Sequence, residues 1–349
     1  MRRQKGSGRW DIFCVMAAIL LGVCALDARG EDTIKGHGAD PSKKSVVVAV
    51  EFNSHAACAH VARSKGWYKE AGISIQAFDS YMTGMSLASA LTRGDVDAAY
   101  ICLIPAICAY ANARVPLQVV SGTHHYGYAV VADPARVSGP GDLEKPGIRI
   151  GCTREGSPTD VLLQKMIRVY GLDAQKVVGN LRRMNPPKQL MALEMGHLDA
   201  AVMPEQYPSM ARENGFSILV RARALWPEMQ GSVLIVTDQL LQEYPEIVNR
   251  LVQVTRKATG WINAHPEAAA HIVAGALGVT SDRIFPTNAV LPHGKFQVSP
   301  QTILASLTRE LVCTTRVDPS QVQQTIHYLV ELGYIPHGFD AGRMLSLEP

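Results

Sequence analysis

The sequence predicts an α/β protein of two similar lobes. Each lobe is a mainly parallel sheet flanked by helices, and a helical C-terminal part packs back on the first. Three observations predict this. Leu91, Gly94 and Asp97 are echoed at the same spacing by Leu193, Gly196 and Asp199, and each copy runs on through a short apolar strand toward a proline, Pro105 or Pro204. In both copies an apolar-periodic helix ends at a glycine, the residue that takes a left-handed cap without strain. Around both copies β-branched runs alternate with helical periodicity, as parallel strands joined by crossover helices require. After Thr237 helical periodicity takes over. Gly-x-x-Asp is also ordinary turn chemistry, so the order of elements carries more weight than the echo alone.

The elements follow in order. Residues 12–26 are an unbroken apolar and small-residue run behind Arg2, Arg3, Lys5 and Arg9. The run is shorter than the ~20 residues of a membrane span. With Ala28-Arg29-Gly30 before Glu31 it reads as a secretory signal over 1–30, with a lipoprotein site at Cys24 as the alternative. Both place the product outside the cytoplasmic membrane, and periplasmic is the expectation. Residues 31–45 form a polar linker.

Lobe 1 begins over 46–126. Residues 46–52 are a β-branched run, a strand buried on both faces. Asn53-Ser54-His55 leads into a helix over 56–65, and residues 73–78 form the second strand. A loop from Tyr81 to Gly84 opens the helix ending at Gly94. Residues 98–103 are the third strand, a helix starts at Pro105, and residues 117–120 are the fourth strand. Lobe 2, with the crossover strands, takes 127–235. Its strands are expected at 128–132, 148–152, 177–181, 200–203, 216–220 and 233–236, and its helices at 157–170, 187–195 and 206–213. Residues 236–349 return to lobe 1 as helices. One starts at Pro245 and carries Ile247, Leu251, Val254, Ala258, Trp261 and Ile262 on one side. Others start at Pro266 and cover 303–312 and 319–332, the last capped by Asp318.

Composition narrows the function. At 349 residues and 47% hydrophobic, the chain can bury two cores. The net charge of +3 sits entirely in the first thirty residues, leaving a neutral body that argues against a nucleic-acid partner. After cleavage Cys58, Cys102, Cys108, Cys152 and Cys313 remain. They lie in or beside apolar segments at no metal-ligand spacing, so buried thiols are expected, with a Cys102–Cys108 disulfide as the alternative. No metal or cofactor is expected.

Four segments carry a resemblance. They are residues 62–73, around Gly66-Trp67-Tyr68; residues 90–98, Ala-Leu-Thr-Arg-Gly-Asp-Val-Asp-Ala; residues 193–200; and residues 260–269, around Gly260-Trp261-Ile262. In this order they resemble the type II periplasmic binding protein fold, and within it the nitrate/sulfonate/taurine family of ABC transporter receptors, over about residues 46–340. That family also resembles proteins of thiamine-pyrimidine synthesis. The resemblance implies a monomeric receptor, not an enzyme. It would close two lobes around a small, anionic, nitrate-, sulfonate- or taurine-like solute and deliver it to a membrane permease with its ATPase. An enzyme such as a thiamine-pyrimidine synthase-like protein is the alternative implied by the same fold. One departure is Met203-Pro204-Glu205-Gln206-Tyr207, where family members commonly carry a Trp, so the ligand class is not carried over.

In open parallel sheets, ligands lie beyond the carboxyl ends of the strands. Those ends carry Asn53, Ser54, His55, Thr83, Gly84 and Tyr100 in lobe 1, and Thr153, Arg154, Ser157 and Glu205 in lobe 2. Helix starts there suit an anion, and Arg154 adds a charged fork. Tyr81 and Tyr100 are candidate walls. Each residue also has a plainer reading. Ser54, Ser157 and Asp160 fit helix caps, Arg154 fits a partner for Glu155, and His124-His125-Tyr126 fits a hinge or surface segment.

Overall fold

Two five-stranded sheets with the same strand order organise the protein. The computed structural model describes residues 44–284 and 297–347. The expected signal over 1–30, Cys24, and the linker up to residue 43 lie outside the described residues.

β1 (Ser45–Glu51) leads through a 3-10 turn at Ser54–Ala56 into α1 (Ala57–Ser64). α2 (Trp67–Glu70), β2 (Ser74–Tyr81), α3 (Gly84–Thr92), β3 (Ala98–Cys102), α4 (Leu103–Ala113) and β4 (Leu117–Gly122) follow. β5 (His124–Tyr126) and β6 (Tyr128–Ala132) carry the chain to the second lobe. There β7 (Ile150–Cys152), α5 (Pro158–Tyr170), α6 (Ala174–Gly179), β8 (Leu181–Arg183), α7 (Pro186–Glu194), β9 (Ala200–Pro204), α8 (Tyr207–Glu213), β10 (Ser217–Arg221) and α9 (Ala222–Leu225) are built. β11 (Ser232–Thr237) returns to the first lobe. After it come α10 (Asp238–Glu243), α11 (Pro245–Ala264), α12 (Pro266–Ile284), α13 (Pro300–Ala305), a π-helical turn over Ser306–Glu310, β12 (Leu311–Cys313) and α14 (Pro319–Glu331).

The first sheet runs β2-β1-β3-β11-β4, and the second, read from its other edge, runs β8-β7-β9-β6-β10. In each, the fourth strand along is the antiparallel one, β11 or β6. These two strands are the crossings between lobes. Beside them, backbone bonds join Thr123 N–H to Ser232 O at 3.1 Å and Gly231 N–H to His124 O at 3.1 Å. Thus β11 belongs to the first sheet, although its residues were expected at the end of the second lobe.

The echoed motif occupies the same place in both sheets. Gly94 and Gly196 have φ of 76° and 66°, so each helix ends in a left-handed turn that a Cβ would strain. The aspartate that follows pins the first strand of its lobe. Asp97 Oδ2 accepts the Val47 N–H at 2.8 Å, and Asp199 Oδ2 accepts the Arg149 N–H at 2.8 Å. In return Asp97 N–H donates to Val47 O at 3.0 Å and Asp199 N–H to Arg149 O at 2.8 Å. A carboxylate is suited to this place because it satisfies a strand N–H just ahead of where pairing with β3 or β9 begins.

Helices cover both faces of both sheets. One apolar layer joins α3, α4, α5 and α14; the other joins α1, α7, α8, α11 and α12. Both layers run through the two lobes. α11 and α12 pack on α1. α14 packs beside α4 in the first lobe, and its Tyr328 meets Trp226 of the second edge-on, 5.7 Å between centroids. The C-terminal part therefore packs on lobe 1 and also reaches lobe 2.

Two expected elements differ. Residues 177–181 read as a strand, but Asp173 caps a helix there by accepting the Gln175 and Lys176 N–H groups, and Val177 is buried as a helical residue. The strand β8 comes after it. Residues 303–312 read as one helix, but the helix opens into a π turn at Ser306 and ends in β12, which pairs with β5.

Candidate functional site

A cleft of about 240 Å3 lies beyond the carboxyl ends of the strands. β1 contributes Glu51 and Asn53, the β2–α3 turn Met82 to Met85, β6 Tyr128, the β7–α5 turn Thr153, Arg154 and Ser157 to Thr159, the β8–α7 turn Arg183 to Pro186, and β9 Pro204. Both lobes therefore wall it. Most of the wall is apolar, from methionines, prolines and the Tyr128 ring, with a few polar groups set among them. That composition suits a small organic solute.

On the lobe 1 side, α3 begins at the cleft. Thr83 Oγ1 accepts the Ser86 N–H and Ser86 Oγ accepts the Thr83 N–H, a reciprocal cap. A Cβ on Gly84 would stand 2.3 Å from Glu51 Oε1 and 2.7 Å from Pro105 Cγ, so only glycine lets this turn lie against the carboxylate. Glu51 is 5% exposed. Its Oε1 accepts the Cys102 N–H at 2.9 Å and its Oε2 accepts Asn53 Nδ2–H at 3.0 Å. Burial pushes its carboxyl above the usual carboxylate range, and these two bonds only partly oppose that.

On the lobe 2 side, Pro158 occupies the first turn of α5 and Ser157 caps it. The hydroxyls of Thr153, Ser157 and Thr159 are mutually hydrogen-bonded. Asp160, fully buried in that first turn, accepts the Gly156 N–H at 3.2 Å and the Tyr334 hydroxyl, and faces Arg183 Nη1 at 2.6 Å. Arg183 also donates to Thr153 O at 2.6 Å. Arg154 is exposed at the cleft, and its guanidinium has no hydrogen bond or ion pair among the described residues.

Asn53, Thr83, Gly84, Thr153, Arg154 and Ser157 meet here as expected from their strand-end positions. Ser54, His55, Tyr100 and Glu205 do not line this cleft. Ser54 Oγ pairs with Ser306 Oγ at 2.8 Å, because the 3-10 turn carries it away from the opening. His55 Nε2 meets Gly127 O at 2.8 Å and its ring lies 4.3 Å from that of His124, under the lobe crossing. Tyr100 points to the opposite face of β3, where its hydroxyl meets Tyr68 at 2.9 Å and Thr255 at 2.8 Å. Glu205 lies 1% exposed, with Oε2 accepting Ser209 Oγ–H at 2.8 Å, and burial pushes its carboxyl up to about 8. Tyr81 is half-buried and outside the lining.

Glu51, Tyr128, Arg183, Met82 and Met184 are lining residues that sequence reasoning missed, whereas Met85 sits in the strand-end turn it expected. Glu51 left a usable signal, an acidic residue closing an otherwise β-branched buried run. The described cysteines Cys58, Cys102, Cys108, Cys152 and Cys313 are free, and all but Cys313 are buried. Among the described residues no group of three or more His, Cys, Asp or Glu is placed to hold a metal ion.

No curated protein sequence matches the chain. Solved structures do. The alkanesulfonate-binding protein of Xanthomonas axonopodis pv. citri, bound to MOPS, superposes with a TM-score of 0.71 at 15% identity, over 87% of this chain and 98% of that one. The periplasmic aliphatic sulphonate-binding protein of Escherichia coli gives 0.67 at 18% identity, over 86% and 97%. The periplasmic nitrate-binding protein of Synechocystis PCC 6803 gives 0.68 at 13% identity, over 85% and 83%. The fold is thus the two-lobed fold of periplasmic binding proteins. A family model, the NMT1-like family, matches residues 39–277, well over half of the chain, and the protein belongs to that family.

Proposed function

We propose that this protein is the extracytoplasmic solute receptor of an ABC importer. It closes its two lobes on a small organic solute, releases it unchanged to a membrane permease driven by an ATPase, and works as a monomer. The observation that carries this reading is the cleft, walled by strand-end turns of both sheets, with the paired crossing strands behind it. Closure about those strands would bring Arg154 and the α5 turn toward Glu51 and the α3 turn. Among the described lining residues, Arg154 is the cation without a side-chain partner and so available to an anionic group of the solute. The secretory signal read over residues 1–30 supports an extracytoplasmic location. No helix among the described residues is long and apolar enough to cross a membrane.

The test is native mass spectrometry of protein gently isolated from the periplasm, followed by thermal melting with nitrate, bicarbonate, ethanesulfonate, taurine and pyrimidines. A ligand present at a hundred times its Kd stabilises the native state by ~2.7 kcal/mol. A co-purifying mass in the cleft, or a raised melting temperature with one of these solutes, is expected. A protein that carries nothing and responds to none of them is not a receptor of this kind.

A further inference from the structure

From residue type alone, the helix starts at the cleft are open anion sites. In the structure the starts of α3 and α5 each have a carboxylate of the protein set against them, whereas α7 starts at the cleft with Asn185 as its cap. Glu51 lies against the first turn of α3, and Asp160 lies within the first turn of α5. A carboxylate at a helix start satisfies the positive dipole end that an oxyanion would otherwise use. The two carboxylates differ in one respect. Asp160 is answered by Arg183 and Tyr334. Glu51 is bonded only by the Cys102 N–H and the Asn53 side-chain amide, and no cation pairs with it among the described residues. It is more than nine-tenths buried, yet it lines the cleft.

A carboxylate has about four acceptor positions, and two donors leave it under-satisfied. Burial makes that deficit costly, and the raised titration of Glu51 is consistent with it. A bare oxyanion set beside the ionised carboxylate would meet like charge and leave its free acceptor positions unanswered. A solute with an N–H group would complete the shell.

We propose that Glu51 is a specificity-determining residue of the cleft: it selects solutes that present an N–H donor and turns away plain oxyanions. The solute would carry this donor at the Glu51 end, an apolar body along Met82, Met85 and Met184, and any anionic group at the Arg154 end. The proposal rests on the receptor reading above. An aliphatic ammonium and an amino-substituted heterocycle share this donor chemistry.

The test uses matched pairs of probes in calorimetry with the mature full chain: 2-aminoethanesulfonate against ethanesulfonate, and 4-aminopyrimidine against pyrimidine. Wild type is expected to bind at least one N–H-bearing probe more than about tenfold tighter than its mate, the size of one hydrogen bond to a charged group. Which pair responds tells ammonium from aminoheterocycle. In Glu51→Gln, which keeps an acceptor for the Cys102 N–H, that ratio is expected to fall toward one, with the ligand-free melting temperature as the folding control. Should this variant not fold, the wild-type ratio and the formula of the co-purified ligand decide. Binding of nitrate or ethanesulfonate as tight as any N–H-bearing probe, a ratio unchanged by Glu51→Gln, or a co-purified ligand without an N–H group overturns the assignment of Glu51 and leaves the receptor reading standing. Absence of any bound ligand removes both.

Discussion

Removing Asp199 should cost about twice what removing Asp97 costs, although the two aspartates hold equivalent places. Asp199 has a side chain 3% exposed. It accepts the Arg149 N–H at 2.8 Å, Arg149 Nε–H at 3.0 Å, Arg149 Nη2–H at 2.9 Å and Arg136 Nε–H at 3.1 Å. Asp97 is 22% exposed and accepts only the Val47 N–H and Lys44 Nζ–H, both at 2.8 Å. Each loss strands one strand-end N–H, at ~1–3 kcal/mol if water cannot replace the carboxylate. The arginines beside Asp199 are 34% and 54% exposed, so they can turn to water and are not left as buried charges. That keeps the loss below the ~3–5 kcal/mol of a broken buried pair. The expectation is ~3 kcal/mol for Asp199→Ala and ~1.5 kcal/mol for Asp97→Ala. Urea unfolding followed by circular dichroism and tryptophan fluorescence together measures both, and coincident curves establish two-state behaviour. Equal losses, or two losses under ~0.5 kcal/mol, the range of ordinary surface changes, would show that the echoed motif is turn chemistry that does not anchor the strands.

Three further outcomes are expected. Glu205 has its carboxyl raised by burial from 4.5 to about 8, so the native state keeps a proton that the unfolded chain gives up between those values. The stability it contributes is full below about pH 4.5 and is lost as pH rises through 8. Glu205→Gln should therefore gain on wild type across that window, by at most ~5 kcal/mol, and a melting-temperature difference flat from pH 5 to 9 would refute it. Arg154→Ala should leave unliganded stability within ~0.5 kcal/mol while weakening an anionic ligand and reducing the salt dependence of its binding; a stability loss above 1.5 kcal/mol would mean that Arg154 is held in the fold. Tyr100→Phe removes the middle of the Tyr68–Tyr100–Thr255 hydroxyl chain and should cost ~1–2 kcal/mol with no change in ligand affinity, measured by melting and calorimetry.

The parts of this molecule that were legible in the sequence depend on local chemistry. Glycines that end helices, prolines that start them and the strand-end turns were placed from residue type alone, and six of the turn residues do meet at the cleft: Asn53, Thr83, Gly84, Thr153, Arg154 and Ser157. What was not legible depends on which way a side chain faces. β3 is buried at every position, so no alternation says that Tyr100 turns from the cleft. The Val177-Val178 pair belongs to a capped helix, and reading it as the strand moved the expected turn away from Arg183, Met184 and Asn185.

The same distinction governs the chemistry of the site. A helix start can be found in a sequence, but whether it is vacant cannot, because the group that fills it can come from another strand. Asp160 lies in the first turn of its own helix, so its capping was visible. Glu51 comes to α3 from β1, through a contact that only a glycine at position 84 permits. Once both carboxylates are in place, the described residues of the cleft present one guanidinium without a side-chain partner and one under-bonded carboxylate in a largely apolar wall. Nitrate can answer the first but has nothing for the second. On the proposed reading of Glu51, the fold shared with nitrate- and sulphonate-binding proteins is a weaker guide to the solute than the acidic residue at the end of β1.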